Sequence, residues 1–375
     1  MSLLPTNEAT LLHSEEEWRG FEAALRERRD LLYDFLENWP GADDFKPRDI
    51  HDGLFSYVKR RGKGLRPLVL LLSCGAVGGD EAQALPAAAA VEIYHTWTLV
   101  HDDIIDRDAT RRGLPTVHAD YAARAMEAHG LGPSEAAHYG TTVAILSGDL
   151  QQSWCYSLMC ELAARGVEPS LVLELIRRMS SWLTPQLMEG EMLDVQMSMT
   201  APQDLTEAQV LDMLSKKTSA LLEYAAWCGA KIGLGTRPDT AGFASKLGRF
   251  AYLCGTAFQL QDDVLGLTAD ESLLGKPVGS DIREGKRTLL VHLALSRGNE
   301  TERQALLSTL GNSRADADEV ARAVALVRST RALEDVNLLA HQLINQAIAI
   351  LSDLPDTPYK NLLHLWATFL LARQH

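Results

Sequence analysis

The pattern of apolar and polar positions predicts a protein built almost entirely of helices. Apolar residues recur every three or four positions along most of the chain, and the alternation typical of strands is almost absent. We therefore expect an all-α protein. The predicted helices cover about 14–39 and 47–59, a further helix starts at Pro67, and others cover about 80–105, 118–127, 135–165, 169–199, 206–233, 239–266, 285–298, 302–310, 315–352 and 357–373. Pro185 falls inside one of them and predicts a kink or break there.

The organisation of the chain indicates one domain. The 375 residues are 46% hydrophobic, which is enough for a large core. No repeat of fixed period and no low-complexity linker is visible. We therefore predict a single domain over 1–375.

Charge and cysteine content narrow the class of protein. A formal net charge of −14 argues against nucleic acid and anionic membrane surfaces as main partners. The five cysteines are odd in number and form no CxxC pair, which predicts a reduced, cytoplasmic protein without a zinc site. The first 14 residues lack the features of a signal peptide, and no apolar run reaches the length of a membrane span.

One stretch, Val100–Gly113, concentrates charge directly after a long apolar helix. Asp102 and Asp106 stand four residues apart, so both carboxylates share a helix face and repel each other. A bound divalent cation would remove that repulsion, and a few hard oxygen ligands suit Mg²⁺. Arg111 and Arg112 follow, and guanidinium groups bind phosphate oxygens in pairs.

A second acidic cluster ends another long predicted helix, at Asp262 and Asp263. A glycine-containing basic loop, 274–288, comes after it, and a further basic loop covers 60–67. Two acidic clusters and two basic loops on one helical scaffold predict metal-bridged binding of two anionic groups.

The joint order of these motifs resembles a known family. The chain carries, in order, GKxxRP from Gly62, His95, DDxxD from Asp102, RRG from Arg111, KT at Lys217, QxxDD from Gln259, GKPxGxD from Gly275 and GKRT from Gly285. It resembles the trans-isoprenyl diphosphate synthases of the polyprenyl synthetase family. The resemblance covers about 62–288, and it is less distinctive in the peripheral segments 1–45 and 300–375.

The resemblance implies a metal-dependent active site. Asp102 and Asp106, with Asp103 in support, would hold Mg²⁺ that bridges an allylic diphosphate, and Asp262 would hold a further Mg²⁺ with Asp263 nearby. The family uses about three Mg²⁺ ions, for which Mn²⁺ can substitute.

The resemblance also implies two diphosphate sites. Isopentenyl diphosphate would be held by Lys63, Arg66, His95 and Arg112. The allylic diphosphate would be held, and its departure assisted, by Arg111, Lys217, Thr218, Gln259, Lys276 and Lys286. The family fold is a bundle of long helices around a central catalytic cavity, in a homodimer.

The implied reaction is head-to-tail condensation of isopentenyl diphosphate with dimethylallyl, geranyl or farnesyl diphosphate. In this family a bulky residue five positions before the first Asp often limits the product, and here that residue is Trp97, beside Thr98. We therefore predict a short all-trans product, farnesyl or geranylgeranyl diphosphate.

Several alternatives stay open at this stage. Gly266 stands where many relatives have a third Asp, which leaves a catalytically weak regulatory subunit as one possibility. A longer-chain synthase is another. A terpene cyclase would pair DDxxD with an Asn/Ser/Glu triad, and a head-to-head synthase uses other acidic motifs, so both fit less well.

Overall fold

The computed structural model describes residues 13–268 and 278–372, and most of them are helical. The α-helices are α1 Glu15–Glu37, α2 Arg48–Lys59, α3 Leu65–Ala76, α4 Glu81–Ile105, α5 Val117–His129, α6 Pro133–Ala164, α7 Pro169–Arg178, α8 Thr184–Met199, α9 Glu207–Leu214, α10 Ala220–Leu234, α11 Phe243–Thr268, α12 Ser280–Glu284, α13 Leu289–Arg297, α14 Glu300–Thr309, α15 Ala317–Ser329, α16 Ala332–Leu351 and α17 Pro358–Ala372. The prediction of an all-α protein is confirmed.

A few short elements complete the fold. Strands β1 (Thr110–Arg111) and β2 (Leu114–Pro115) form a small antiparallel hairpin. Two turns of π-helix, Met179–Leu183 and Ser215–Ser219, join α7 to α8 and α9 to α10. Two turns of 3₁₀-helix cover Ala42–Asp44 and Pro202–Asp204.

The chain divides into two compact units. The first unit comprises Ala23–Ile176 and Cys228–Pro238, and the second comprises Met1–Glu22, Arg177–Trp227 and Asp239–His375. The single domain predicted from the sequence stays a prediction.

In the first unit, α4 is the central helix and packs against α3 and α6. Its alanine run, Ala87–Ala90, is fully buried, and such small side chains allow neighbouring helices to approach closely. Helix α5 also packs on α6, where Gly140 permits the contact: a Cβ atom there would lie 2.1 Å from the carbonyl oxygen of His118. Helix α4 is therefore closely packed against its neighbours in the first unit.

In the second unit, α11 is the central helix. It packs along α16 and against α17, where Phe250 and Trp366 place their rings 5.8 Å apart. Helix α8 packs against the π turn Ser215–Ser219. The site residues predicted on α11 and on this π turn are thus carried by packed helices.

Helix ends agree with the sequence where a local signal marks them. Helix α4 begins after Asp80, whose carboxylate accepts a hydrogen bond of 2.9 Å from the Ala82 amide. The single helix predicted over 315–352 is wrong in one respect: α15 ends at Ser329, and Arg331 adopts a left-handed φ of 59° before α16 begins. Near Pro185, the predicted irregularity is the π turn that ends two residues earlier.

Within 13–268 and 278–372, none of the helices combines the length with the apolar character that crossing a membrane requires.

Candidate active site

The two outer aspartates of the first motif converge at the end of α4. Asp102 and Asp106 lie one turn apart, and the Asp106 amide donates to the Asp102 carbonyl at 2.8 Å. Their carboxylate groups each offer an oxygen within 4.8 Å of the other. Paired carboxylate oxygens at this separation fit a hard divalent cation such as Mg²⁺.

The middle aspartate, Asp103, has a different environment. Its side chain is 1% exposed and accepts hydrogen bonds from the Tyr57 hydroxyl and from Arg111 Nε, the latter at 2.6 Å. Burial raises the pKa of Asp103, although the hydrogen bond from Arg111 opposes that shift. These contacts make Asp103 the anchor of Arg111. Its predicted part in holding metal stays a prediction.

The two adjacent arginines occupy different positions of a tight hairpin. Arg111 pairs with Leu114 across the hairpin, whereas Arg112 and Gly113 form its two-residue loop. Both loop residues have positive φ angles, 55° and 73°, which is the requirement of a type I′ turn. Arg111 lies 3.4 Å from Asp102, and Arg111 and Arg112 both line one cavity.

The first basic loop lies between α2 and α3. Arg66, in the first turn of α3, places Nη1 3.1 Å from Nε2 of His95. Burial lowers the pKa of His95 well below its usual range, and the charges of Arg66 and Arg112 add to that shift. His95 is therefore neutral near pH 7, and its ring nitrogen accepts from Arg66. Lys63 is exposed in the loop.

A cavity in the first unit joins several of these residues. Its lining includes Tyr57, Glu92, His95, Arg111 and Arg112. Four of the residues predicted for the two diphosphate sites thus meet in the first unit: Arg66, His95, Arg111 and Arg112.

The two residues predicted to set product length, Trp97 and Thr98, lie on α4 between His95 and Asp102. Trp97 is 4% exposed, and its ring packs edge-on against Tyr94 and His101, with centroids 4.9 and 6.0 Å apart. The Thr98 hydroxyl donates to the His95 carbonyl at 2.8 Å, so it is engaged within its own helix.

In the second unit, Lys217 and Thr218 lie on the π turn before α10. Lys217 Nζ lies 2.7 Å from Asp194 and 2.9 Å from Glu191, both on α8. Gly190 makes this approach possible, because a Cβ atom there would lie 2.5 Å from the Lys217 amide nitrogen. Turns of π-helix are frequent at functional sites, and this one presents a lysine to two carboxylates.

The second acidic motif lies near the end of α11. Gln259 accepts from the Thr218 hydroxyl at 3.1 Å and donates to Asp263 at 3.0 Å. Burial raises the pKa of Asp263 to about 8, with the nearby charge of Asp281 acting in the same direction. Asp262, the adjacent residue, is half-buried.

Asp281 approaches the position where the third aspartate of the motif is missing. A Cβ atom on Gly266 would lie 3.2 Å from an Asp281 carboxylate oxygen. The predicted residues of the second unit share one cavity, lined by Lys217, Thr218, Gln259, Asp263 and Lys286. Lys276 lies outside the described residues.

Three residues of these clusters were missed from the sequence. Tyr57 and Tyr33 lie far along the chain from the groups they contact, so no local signal identifies them. Glu92 accepts a hydrogen bond of 2.7 Å from the Tyr33 hydroxyl. It is the only acidic residue in the apolar run 82–101, a signal that could have identified it.

Comparison with known proteins places this arrangement in a family. The model of the polyprenyl synthetase family matches residues 48–327. The geranylgeranyl diphosphate synthase of Sulfolobus acidocaldarius is 37% identical over 357 residues, which cover 94% of this chain and 99% of that protein.

Two solved structures extend the likeness. The geranylgeranyl pyrophosphate synthetase of Pyrococcus horikoshii is 32% identical with a TM-score of 0.80, over 94% of this chain and 99% of that one. The geranylgeranyl pyrophosphate synthase of Corynebacterium glutamicum, in complex with isoprenyl diphosphate and magnesium, is 30% identical with a TM-score of 0.80, over 94% and 98%.

The chain belongs to the polyprenyl synthetase family. It is a trans-prenyltransferase of the short-chain prenyl diphosphate synthase class, as its motifs predicted.

Proposed function

We propose that the protein condenses isopentenyl diphosphate with an allylic diphosphate and releases a geranylgeranyl or farnesyl diphosphate. The observation that carries this proposal is the carboxylate pair Asp102 and Asp106, beside the anchored guanidinium of Arg111 at the end of α4. An anionic ligand bridged to such a pair by cations would also reach Arg111.

The cofactor in this proposal is Mg²⁺, about three ions per site with Mn²⁺ as a substitute. Asp102 and Asp106 would hold it on α4, and Asp262 on α11, with Asp103 and Asp263 in support. Bound Mg²⁺ would neutralise the charge that develops on the leaving diphosphate.

The chain's own residues would divide the remaining work between two substrates. Arg66, Arg112, His95 and Lys63 would hold isopentenyl diphosphate. Arg111, Lys217, Thr218, Gln259, Lys276 and Lys286 would hold the allylic diphosphate and its leaving group. In a site with little water, the positively charged side chains among these would lower the free energy of the departing diphosphate and the allylic cation.

The bond changes balance without a side-chain base. The allylic C–O bond breaks with its electron pair leaving on the diphosphate, and the isopentenyl double bond attacks the resulting allylic cation. A proton then leaves the new carbon chain, and the released diphosphate accepts it. Orientation of the two substrates is thus the main contribution of the protein.

Product length would be set on α4. We propose that the indole of Trp97 closes the end of the chain-binding cavity, with Thr98 beside it. The supporting observation is that Trp97 is a wide, buried ring one turn and a half before Asp102. An indole at that place favours a C15 or C20 product over longer chains.

We also propose a cytoplasmic homodimer. Three large apolar side chains of α5 and α6 are 43–47% exposed: Met126, Ile145 and Leu146. A second copy of the chain is the expected cover for them. None of the five cysteines, all within the described residues, forms a disulfide, which suits a reducing compartment.

One assay tests the reaction. The purified protein is incubated with isopentenyl diphosphate, Mg²⁺ and, in separate reactions, a dimethylallyl, geranyl or farnesyl primer, and products are sorted by length. We expect C15 or C20 product, and none after chelation of the metal. Absence of product with every primer would favour the regulatory-subunit alternative, and mainly C30 or longer product would favour the longer-chain alternative.

A matched pair of variants tests the site. Asp102→Ala removes one of the paired carboxylates, whereas the control Asp120→Ala removes a carboxylate that pairs with Arg124 on the surface of α5. We expect turnover to fall at least about 100-fold for the first variant and to stay within about twofold for the control. Near-normal turnover of Asp102→Ala with Mg²⁺ would contradict the site assignment.

A further inference from the structure

Helix α4 contains a buried carboxylate that the proposed chemistry does not use. Glu92 is 6% exposed, within a run of apolar residues. A buried carboxylate is costly unless hydrogen bonds and opposite charges compensate it. Glu92 at this buried position therefore needs hydrogen-bond or charged partners.

The partners of Glu92 belong to the basic loop and the hairpin. Its Oε1 accepts from the Tyr33 hydroxyl at 2.7 Å. Burial raises the pKa of Glu92, and the Tyr33 hydrogen bond and the nearby charges of Arg66 and Arg112 oppose that shift. Glu92 and Arg112 also line the same cavity. Glu92 thus lies near two arginines that come from different parts of the chain, and the charge of each acts on its carboxylate.

Tyr33 extends this contact to the backbone. Its oxygen also accepts the amide N–H of Gly62, the residue immediately before Lys63. A Cβ atom on Gly62 would lie 3.0 Å from both Glu92 Oε1 and the Tyr33 oxygen, and 3.4 Å from Arg112 Nη2. A carboxylate, a phenol and a guanidinium therefore converge on one backbone position.

We propose that Glu92 and Tyr33 are positioning residues for isopentenyl diphosphate binding. Glu92 orients the guanidinium groups of Arg66 and Arg112, and Tyr33 fixes the backbone from which Lys63 extends. The inference rests on the proposed function, because it assigns these three cations to isopentenyl diphosphate. Neither Glu92 nor Tyr33 needs to contact substrate.

This arrangement predicts a selective effect. A carboxylate beside two arginines weakens the positive potential that a diphosphate meets there. On charge alone, removing the carboxylate would therefore strengthen diphosphate binding. Fixed guanidinium geometry acts in the opposite direction, because paired hydrogen bonds to phosphate oxygens require correct orientation. If positioning dominates, isopentenyl diphosphate binding weakens when Glu92 loses its charge, while allylic diphosphate binding changes little.

The test uses two variants and two matched controls. Tyr33→Phe and Glu92→Gln remove the hydroxyl and the charge. The control Tyr121→Phe removes a buried hydroxyl without a hydrogen-bond partner, and Glu81→Gln alters an acidic residue of α4 that pairs with Arg28 at 2.6 Å. Steady-state kinetics give the KM of each substrate separately, and calorimetric titration with isopentenyl diphosphate alone gives its Kd.

We expect the KM and Kd of isopentenyl diphosphate to rise about tenfold in Tyr33→Phe and Glu92→Gln, with the allylic KM within about twofold of wild type. Both controls should resemble wild type. Equal changes in the two KM values, or tighter binding of isopentenyl diphosphate, would overturn the inference. If Glu92→Gln does not fold, Tyr33→Phe alone decides, since it removes a single oxygen.

Failure of the proposed function would look different. In that case wild-type protein would form no product with any primer and would not bind isopentenyl diphosphate. The positioning inference fails while wild type binds and condenses this substrate: the variants then bind isopentenyl diphosphate as well as or better than wild type, or change both KM values equally.

Discussion

Nε and Nη2 of Arg111 lie 2.6 and 2.5 Å from the same carboxylate oxygen of Asp103. The other oxygen of Asp103 accepts from the Tyr57 hydroxyl. Asp103 is 1% exposed, whereas the side chain of its neighbour Asp102 is 20% exposed. Two consecutive aspartates of one motif are therefore distinct in environment, one buried in the fold and one available to a ligand.

This difference predicts opposite effects of two substitutions. Asp103→Ala should lower the free energy of unfolding by about 3 kcal/mol, because it leaves Arg111 and Tyr57 without their buried partner. Asp102→Ala should cost less than about 1 kcal/mol while removing most turnover. Urea denaturation and a turnover assay on the same samples measure both. A stable Asp103→Ala variant would contradict the anchoring role.

Replacement of Trp97 should change the product. Trp97→Ala opens space beside Tyr94 and His101, so the main product should lengthen by at least one isoprene unit. The same change should cost about 3 kcal/mol of stability, since it truncates a buried indole. Product analysis by chain length gives the answer at a temperature where the variant stays folded.

A second truncation on the same helix serves as the control for Trp97. Val100 is also buried on α4, where it packs in a cluster with Tyr121 and Val143. Val100→Ala should lower stability by about 1–2 kcal/mol without altering product length. Longer product from both variants would mean that loosening of α4, and not the indole, controls length.

Gly190 should tolerate no side chain. A Cβ atom there would lie 2.5 Å from the Lys217 amide nitrogen, so Gly190→Ala should push α8 away from the π turn. We expect a loss of about 1–3 kcal/mol in unfolding free energy and reduced turnover through Lys217.

The control for this change is Gly20→Ala on α1. A Cβ atom at Gly20 would meet nothing within 4 Å. Because alanine favours helix over glycine, this variant should gain about 0.5–1 kcal/mol. Thermal unfolding separates the two outcomes, and equal behaviour of both variants would refute the packing argument.

Asp263 should make the stability of the metal-free protein dependent on pH. Its pKa is about 8 in the folded protein against 3.8 for an ordinary Asp, so the folded state retains a proton that the unfolded chain releases. The contribution of Asp263 to the free energy of unfolding is fully present below pH 4 and is lost as the pH rises through 8. From pH 6 to pH 8.5 the loss should be about 2.5 kcal/mol.

The comparison that isolates this effect uses Asp263→Asn. Urea denaturation of both proteins in EDTA at the two pH values gives the difference in their slopes. Asparagine has no proton to lose, so the variant should show a flatter dependence on pH than wild type. Identical slopes would show that Asp263 ionises normally.

The sequence predicted helices best where local chemistry marks their ends. Helix α4 was expected over 80–105 and runs over Glu81–Ile105, because Asp80 caps its first turn and the acidic motif ends its apolar run. The break at Arg331 was missed, since an arginine in the left-handed region carries no sequence signal comparable to that of glycine.

The sequence predicted which residue types make up the site better than it predicted which of those residues are in contact. The family resemblance put Arg66 and His95 in one diphosphate site, and Gln259 and Asp263 stand in one motif; each pair lies in hydrogen-bond contact. The contact of Tyr33 with Glu92 joins residues 59 positions apart. Such a contact depends on how α1 packs against α4, which the periodicity of neither helix specifies.

Around Lys217, the number of residues in the π turn Ser215–Ser219 matters more than their identity. Removal of any one of its five residues would allow regular α-helix to continue from α9 into α10. A π turn takes up about one residue more than an α turn over nearly the same rotation, so α9 and α10 would stay aligned while the bulge that carries Lys217 is lost. A deletion that looks minor in an alignment would therefore move Lys217 away from Glu191 and Asp194 without displacing α10.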